Sequence, residues 1–225
     1  MGGAGKPTTT RPVEAEHASL ALIRLVQENP GQLTLLTLGP LTNLALAIRL
    51  YPNLPRQLKR LVIMGGAVDA RGNTSAAAEF NIGVDPEAAK IVFKACQDVP
   101  EGSWLLPWET SLCHAIPMAE WEAIIAGDRP PAQFVRQMTP HLKQVMTRFN
   151  FAGTIWPDPL AAAVALSPEI ITQQEERLVE VELGSGLARG QTIVDYRFNG
   201  HNSSNLHIVR HVDDQKFKAL LRLAL

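Results

Sequence analysis

Apolar residues along this chain switch between two spacings. From Val13 to Glu28 the residues Ala18, Leu22, Leu25 and Val26 recur at helical intervals, until Asn29-Pro30-Gly31 breaks the pattern. Leu33 to Leu38 is a short, nearly continuous apolar run between breakers, which predicts a buried strand of a parallel sheet. Gly39-Pro40 turns the chain, and Leu41 to Leu50 predicts a helix. Arg60 to Met64 predicts a second buried strand, ended by Gly65-Gly66, and residues 67–84 read as a loop of mostly small side chains. Asp85-Pro86-Glu87 combines an N-cap acid, a proline at the first helical position and an acid in the first turn, so a helix is expected to about Cys96.

The pattern then repeats with variations. Trp104 to Leu106 predicts a third strand, stopped by Pro107, and residues 117–150 read as mainly helical. Asp158-Pro159 looks like a second N-cap-and-proline start, before an apolar helix from Leu160 to Leu166. The last part of the chain differs: Leu178–Leu183, Gln191–Tyr196 and Leu206–Val212 predict strands. A final helix from Asp213 sets Phe217, Leu220 and Leu221 on one face. Strand–helix alternation through most of the chain predicts an α/β fold, an open and mostly parallel sheet with helices on both faces. The terminal strands are expected to form an antiparallel edge or a small flap.

Composition narrows the function classes. The chain has 225 residues, 46% hydrophobic and 19% charged, which suits a single globular domain over 1–225. A formal net charge of −1 gives no electrostatic case for nucleic acid or an anionic membrane as partner. No apolar run approaches the roughly 18 residues of a membrane span. Residues 1–12 read as loop without the apolar core of a secretory signal, and Lys6 argues against myristoylation, so a cytoplasmic protein is expected. Without a signal, the glycosylation sequons at Asn73 and Asn202 read as chance. Cys96 and Cys113 stand at no metal-like spacing and read as buried thiols rather than a disulfide.

In open α/β sheets, ligands bind outside the carboxyl ends of the strands. The segments that follow the first two predicted strands, together with Trp156-Pro157-Asp158, would converge there. They bring two carboxylates (Glu79 and Asp158), two amides (Asn73 and Asn81) and the thioether of Met64. Amides both donate and accept, so this set suits a polyhydroxylated ligand, and its oxygens suit a hard cation. Each residue also has a plainer reading. Asp85 and Asp158 could be helix N-caps only, Asn73 a turn residue, Glu79 a solvated loop acid and Met64 core filler. Of the six histidines, His17 reads as a helix residue and His141 as a surface one. His207 and His211 read as structural, and His114 could line a cleft. Gly2-Gly3-Ala4-Gly5 is no dinucleotide fingerprint, because no strand precedes it.

Several of these segments resemble the inosine–uridine-preferring nucleoside hydrolases. They are Gly39–Ala45 (GPLTNLA), Met64–Ala89 with its MGGA, GN, AEFN and DPEAA, Trp156–Leu166 (WPDPLAAAVAL), and Arg189-Gly190-Gln191-Thr192 with Val194-Asp195. The resemblance covers nearly the whole chain. It implies a Rossmann-like core and calcium-dependent hydrolysis of the N-glycosidic bond of ribonucleosides. It also implies a small-molecule nucleoside as partner and self-association as a homo-oligomer. By motif, Asp158 through its carboxylate and Leu38 through its backbone carbonyl would bind calcium. Asn73, Glu79 and Asn81 would hold ribose hydroxyls, Met64 would line the sugar pocket and Phe80 would contact it. The oxocarbenium-like transition state of such a reaction is stabilised by holding and distorting the ribose.

Two departures accompany the resemblance. The family's opening D-x-D-x-x-x-D-D motif, source of the general base and further calcium ligands, has no match in these residues. The general-base aspartate is therefore expected upstream of residue 1. The chain reads as starting inside the domain, with the first βαβ unit missing and its sheet edges unpaired. Pro157 stands where some members carry a histidine as acid toward the leaving base, and proline cannot donate a proton. Trp156 is expected to stack on the base instead. The alternative function is a truncated or inactive form that binds nucleoside or ribose weakly, or an interaction protein.

Overall fold

A computed structural model describes residues 12–197 and 204–225. The Gly-rich start and the sequon at Asn202 lie outside the described residues. The first described helix, α1 (Ala18–Glu28), begins at His17, whose ring accepts from Ser19 N, so His17 is the N-cap rather than a residue within the helix. Then come β1 (Thr34–Thr37), α2 (Thr42–Leu50), α3 (Leu54–Gln57) and β2 (Arg60–Met64). The segment read as a continuous loop contains a short helix, α4 (Phe80–Val84), before α5 (Pro86–Ala95). Asp85 caps α5 through Ala88 N at 3.0 Å and accepts Thr42 Oγ1 at 2.5 Å, so its structural reading holds.

β3 (Ser103–Leu106) leads into α6 (Trp108–Cys113), α7 (Met118–Ile124) and α8 (Pro130–Phe149). The chain then forms α9 (Pro157–Leu166), β4 (Ile171–Val181), β5 (Thr192–Asp195), β6 (Leu206–Val212) and α10 (Asp214–Ala224). The six strands form one sheet in the order β1-β2-β3-β6-β4-β5. β1, β2, β3 and β6 are parallel, and β4 runs antiparallel to both β6 and β5. This is the expected mostly parallel sheet with an antiparallel edge. The ladder is unbroken, so the open edges are β1 and β5. That position also changes the picture of β1: Leu35 and Leu36 are only half-buried and Leu38 is exposed, because a terminal strand has a neighbour on one side only.

Alternation along the strands divides the core. Leu61, Ile63, Leu105 and Ile208 face one layer with residues of α2 and α5. Val62, Met64, Leu106 and Val209 face the other with α7, α9 and α10. Cys96 is buried, and burial pushes its thiol up to about 12. Cys113 is exposed, which corrects the expectation of two buried thiols; both are free. His114 is buried but structural: its Nδ1 lies 2.6 Å from Asp214 and its Nε2 accepts Val212 N at 3.2 Å. No helix among the described residues is long and apolar enough to cross a membrane.

Candidate active site

The carboxyl ends of the parallel strands bring the predicted segments together. Thr37 pairs with Ile63 and Met64 with Leu106, so Leu38, Met64 and Leu106 stand level across neighbouring strands. The first turn of α9 descends onto them, with Leu160 and Ala161 in one apolar cluster with Met64. Asp158 sits in that turn. The helix begins two residues earlier than its Asp-Pro pair suggested, with Trp156 at the N-cap position, so Asp158 is inside the helix and caps nothing. Desolvation raises its carboxyl above the usual range.

Glu79 faces the same place from the other side. It is the N-cap of α4, 2% exposed, and so not a solvated loop acid. One carboxylate oxygen accepts Gly66 N at 2.9 Å and Ile82 N at 3.3 Å. Burial pushes the Glu79 carboxyl up, the backbone N–H groups of Asn81, Gly66 and Ile82 pull it down, and the Asp158 carboxylate adds a further push up. The Asp158 charge thus reaches Glu79, although 79 residues separate them in sequence.

The remaining predicted residues surround this pair. Asn81, 7% exposed, donates its Nδ2 to Met64 O at 3.1 Å and to Met64 Sδ at 3.2 Å. Met64, 3% exposed, is therefore a floor beneath Asn81 and also core. Asn73 is exposed and its Oδ1 accepts Phe80 N at 2.8 Å, so it closes the turn that presents α4. Gly72 permits that turn: a Cβ there would meet Ser75 O at 2.1 Å. Phe80 is 54% exposed. Trp156 stacks on Trp121 with ring centroids 4.1 Å apart and donates Nε1 to Thr154 at 2.8 Å. One of its faces is thus already covered by protein.

A family model described as inosine-uridine preferring nucleoside hydrolase matches residues 1–219. The chain belongs to this family. Among its relatives is a pyrimidine-specific ribonucleoside hydrolase, RihA, of Salmonella gallinarum, 34% identical over 97% of this chain and 70% of the relative. The RihA of Citrobacter koseri is 35% identical over 89% of this chain and 63% of the relative. The chain thus spans between 63% and 70% of the length of these two relatives. A purine-preferring ribonucleoside hydrolase from Gardnerella vaginalis superposes with a TM-score of 0.84 at 27% identity, covering 97% of this chain and 68% of that one. A plant nucleoside hydrolase, PpNRh1, shares the fold with a TM-score of 0.84 at 23% identity, over 98% of this chain and 70% of that one.

The donor set bears on whether a metal fits. Calcium takes about six to eight oxygen ligands. Among the described residues no group of three or more His, Cys, Asp and Glu side chains could hold an ion. Asp158 is available, but Glu79 already serves two backbone donors. The described residues do not by themselves make a calcium cage.

Three supporting residues escaped the sequence reading. Trp108 N donates to Gly66 O at 2.9 Å. Glu109 is buried against the loop after β2. Thr192 accepts Ala67 N at 3.3 Å. An acid in the first turn of a helix, as Glu109 is, looks like an ordinary dipole partner in sequence. Thr192 lay in a quoted motif, but nothing local indicates what its hydroxyl meets.

Proposed function

We propose that this chain carries the ribose-binding wall of a nucleoside N-ribohydrolase, which cleaves the N-glycosidic bond of ribonucleosides to base and ribose. The observation that supports this most is the facing of Asp158, with no hydrogen-bond partner among the described residues, and the buried Glu79 at the carboxyl ends of the strands. A buried carboxylate and a second, unpaired one want hydroxyl donors, and a ribose offers them in pairs. In this reading Asp158, Glu79, Asn81 and Asn73 grip the ribose hydroxyls, with Met64 beneath and Phe80 at the rim. Their work is to hold the sugar while positive charge develops at its anomeric carbon, where nearby carboxylates favour that charge.

Calcium enters as the family's expected cation, with Asp158 and the Leu38 carbonyl as two of its ligands. Further oxygens are required for tight binding. A second reading, nucleoside or ribose binding without turnover, is favoured by the small donor set of the described residues. Pro157, which cannot serve as an acid toward the base, adds to it.

The test is a titration of inosine and uridine into the chain with calcium, followed by chromatographic detection of free base. Binding with base release supports hydrolysis. Binding without release supports the second reading. Binding that is absent, or unaffected by D158A, sinks both.

A further inference from the structure

The segment Gly65–Arg71 leaves β2 without regular structure, yet two buried carboxylates gather its backbone N–H groups. Glu79 takes Gly66 N at 2.9 Å. Glu109, 7% exposed and in the first turn of α6, takes Val68 N at 3.1 Å through Oε2. Its Oε1 takes Asp69 N at 2.9 Å and Arg71 N at 3.3 Å. Ala70, with φ of 56°, lies in the left-handed region between those donors. Such a kink turns neighbouring N–H groups toward one centre and makes an anion nest. The anion that fills it here is the protein's own side chain. The same helix start ties the loop a second time, through Trp108 N to Gly66 O at 2.9 Å.

We propose that Glu109 is a positioning residue of the sugar cleft. By filling the nest at 68–71 it fixes the loop whose Gly66 holds Glu79, and so sets the wall formed by Glu79 and Asn81. The ligand part of this statement rests on the ribose-binding reading above; the geometric part does not. Glu109 touches no substrate. Its carboxylate carries order from α6, at the end of β3, to the wall that follows β2. The buried N–H groups of 68, 69 and 71 would otherwise lose their partner, a loss that a loop can escape only by moving.

The experiment compares the full 225-residue chain as wild type, E109Q, E109A and S103A. S103A removes a buried hydroxyl that bonds Cys96 O at 3.1 Å, at the far end of β3, and serves as a control of general destabilisation. Amide hydrogen exchange is followed over residues 65–82, and ribose affinity by calorimetry. E109Q and E109A are expected to speed exchange about tenfold at Val68, Asp69 and Arg71 and onward at Asn81 and Ile82, beyond the S103A change at matched stability. Ribose affinity in E109Q falls about tenfold. Formate, a small carboxylate, restores slow exchange in E109A but not in E109Q, whose amide still fills the nest, and chloride at equal ionic strength does not. Unchanged exchange at Asn81 and Ile82 in both variants, or equal effects of formate and chloride, overturns the proposal. A wild-type chain that fails to bind ribose refutes the ribose-binding reading, and the exchange data still decide the positioning role.

Discussion

Replacing Gly66 by alanine tests how tightly the wall of the cleft is held from behind. Gly66 has φ of 84°, and an added Cβ would lie 2.8 Å from Thr192 Oγ1 and 3.5 Å from its Cγ2. The left-handed backbone costs an alanine about 1–2 kcal/mol. The contact with a fully buried threonine adds about 1–3 kcal/mol of overpacking. G66A should therefore destabilise by about 2–5 kcal/mol, a fall in Tm of roughly 5–20 °C for a chain of this size. The cause can be separated with Thr192→Ala, which removes Oγ1 and Cγ2 but keeps Cβ, at an ordinary 3.6 Å from the new methyl. T192A alone leaves Ala67 N without its 3.3 Å partner and costs about 1–3 kcal/mol. In the double variant the clash is gone and only the backbone cost of G66A persists. Urea denaturation of all four proteins should thus show the pair less destabilised than the sum by about 1–3 kcal/mol. Additivity within about 0.5 kcal/mol would mean that Thr192 of β5 does not press on Gly66.

Other outcomes follow from the same site. Calorimetry should find calcium binding weak, since about six to eight oxygens are wanted and Asp158 is the one site carboxylate without a partner among the described residues, and a tight stoichiometric isotherm would overturn this. Carboxyl carbon NMR should place Glu79 above its ordinary value of 4.5, and D158N should move it back down by removing the neighbouring charge; no movement would separate the two acids in space. Because the folded-state value of Glu79 is raised, its burial penalty is fully present above that midpoint. Folding is stabilised as pH falls through the window between the folded and unfolded values, and E79Q should flatten that part of a stability–pH curve.

Local chemistry made much of this protein legible in advance. Arg60–Met64 reads as a buried strand because every side chain from Leu61 on is apolar, and both of its faces are covered. Asp85-Pro86 reads as a helix start because an N-cap acid and a proline each satisfy an end effect within a few residues. The motif residues Asn73, Glu79, Asn81 and Asp158 were named from the sequence because ligands gather at carboxyl ends of strands. Where the chain misled, the deciding partner was distant. Leu33–Leu38 has the composition of an inner strand, but its rank at the end of the sheet leaves it half open. Asp158-Pro159 misled for a local reason instead: it has the form of a cap, yet the adjacent Pro157 begins the helix and leaves Asp158 a free carboxylate in the first turn.

Tertiary structure alone decided which acids are buried and what they hold. Glu79 and Glu109 are both ordinary loop-or-helix-start acids in one dimension. Folded, one grips Gly66 and the other Val68, Asp69 and Arg71, because strand order lays α6 against the loop after β2. Sequence determines an element through neighbours three or four residues away. Burial and charge pairing depend on chain segments brought together from farther away, 13 residues for Glu79 and Gly66 and 38 to 41 for Glu109 and its three donors, and only the assembled sheet makes those meetings.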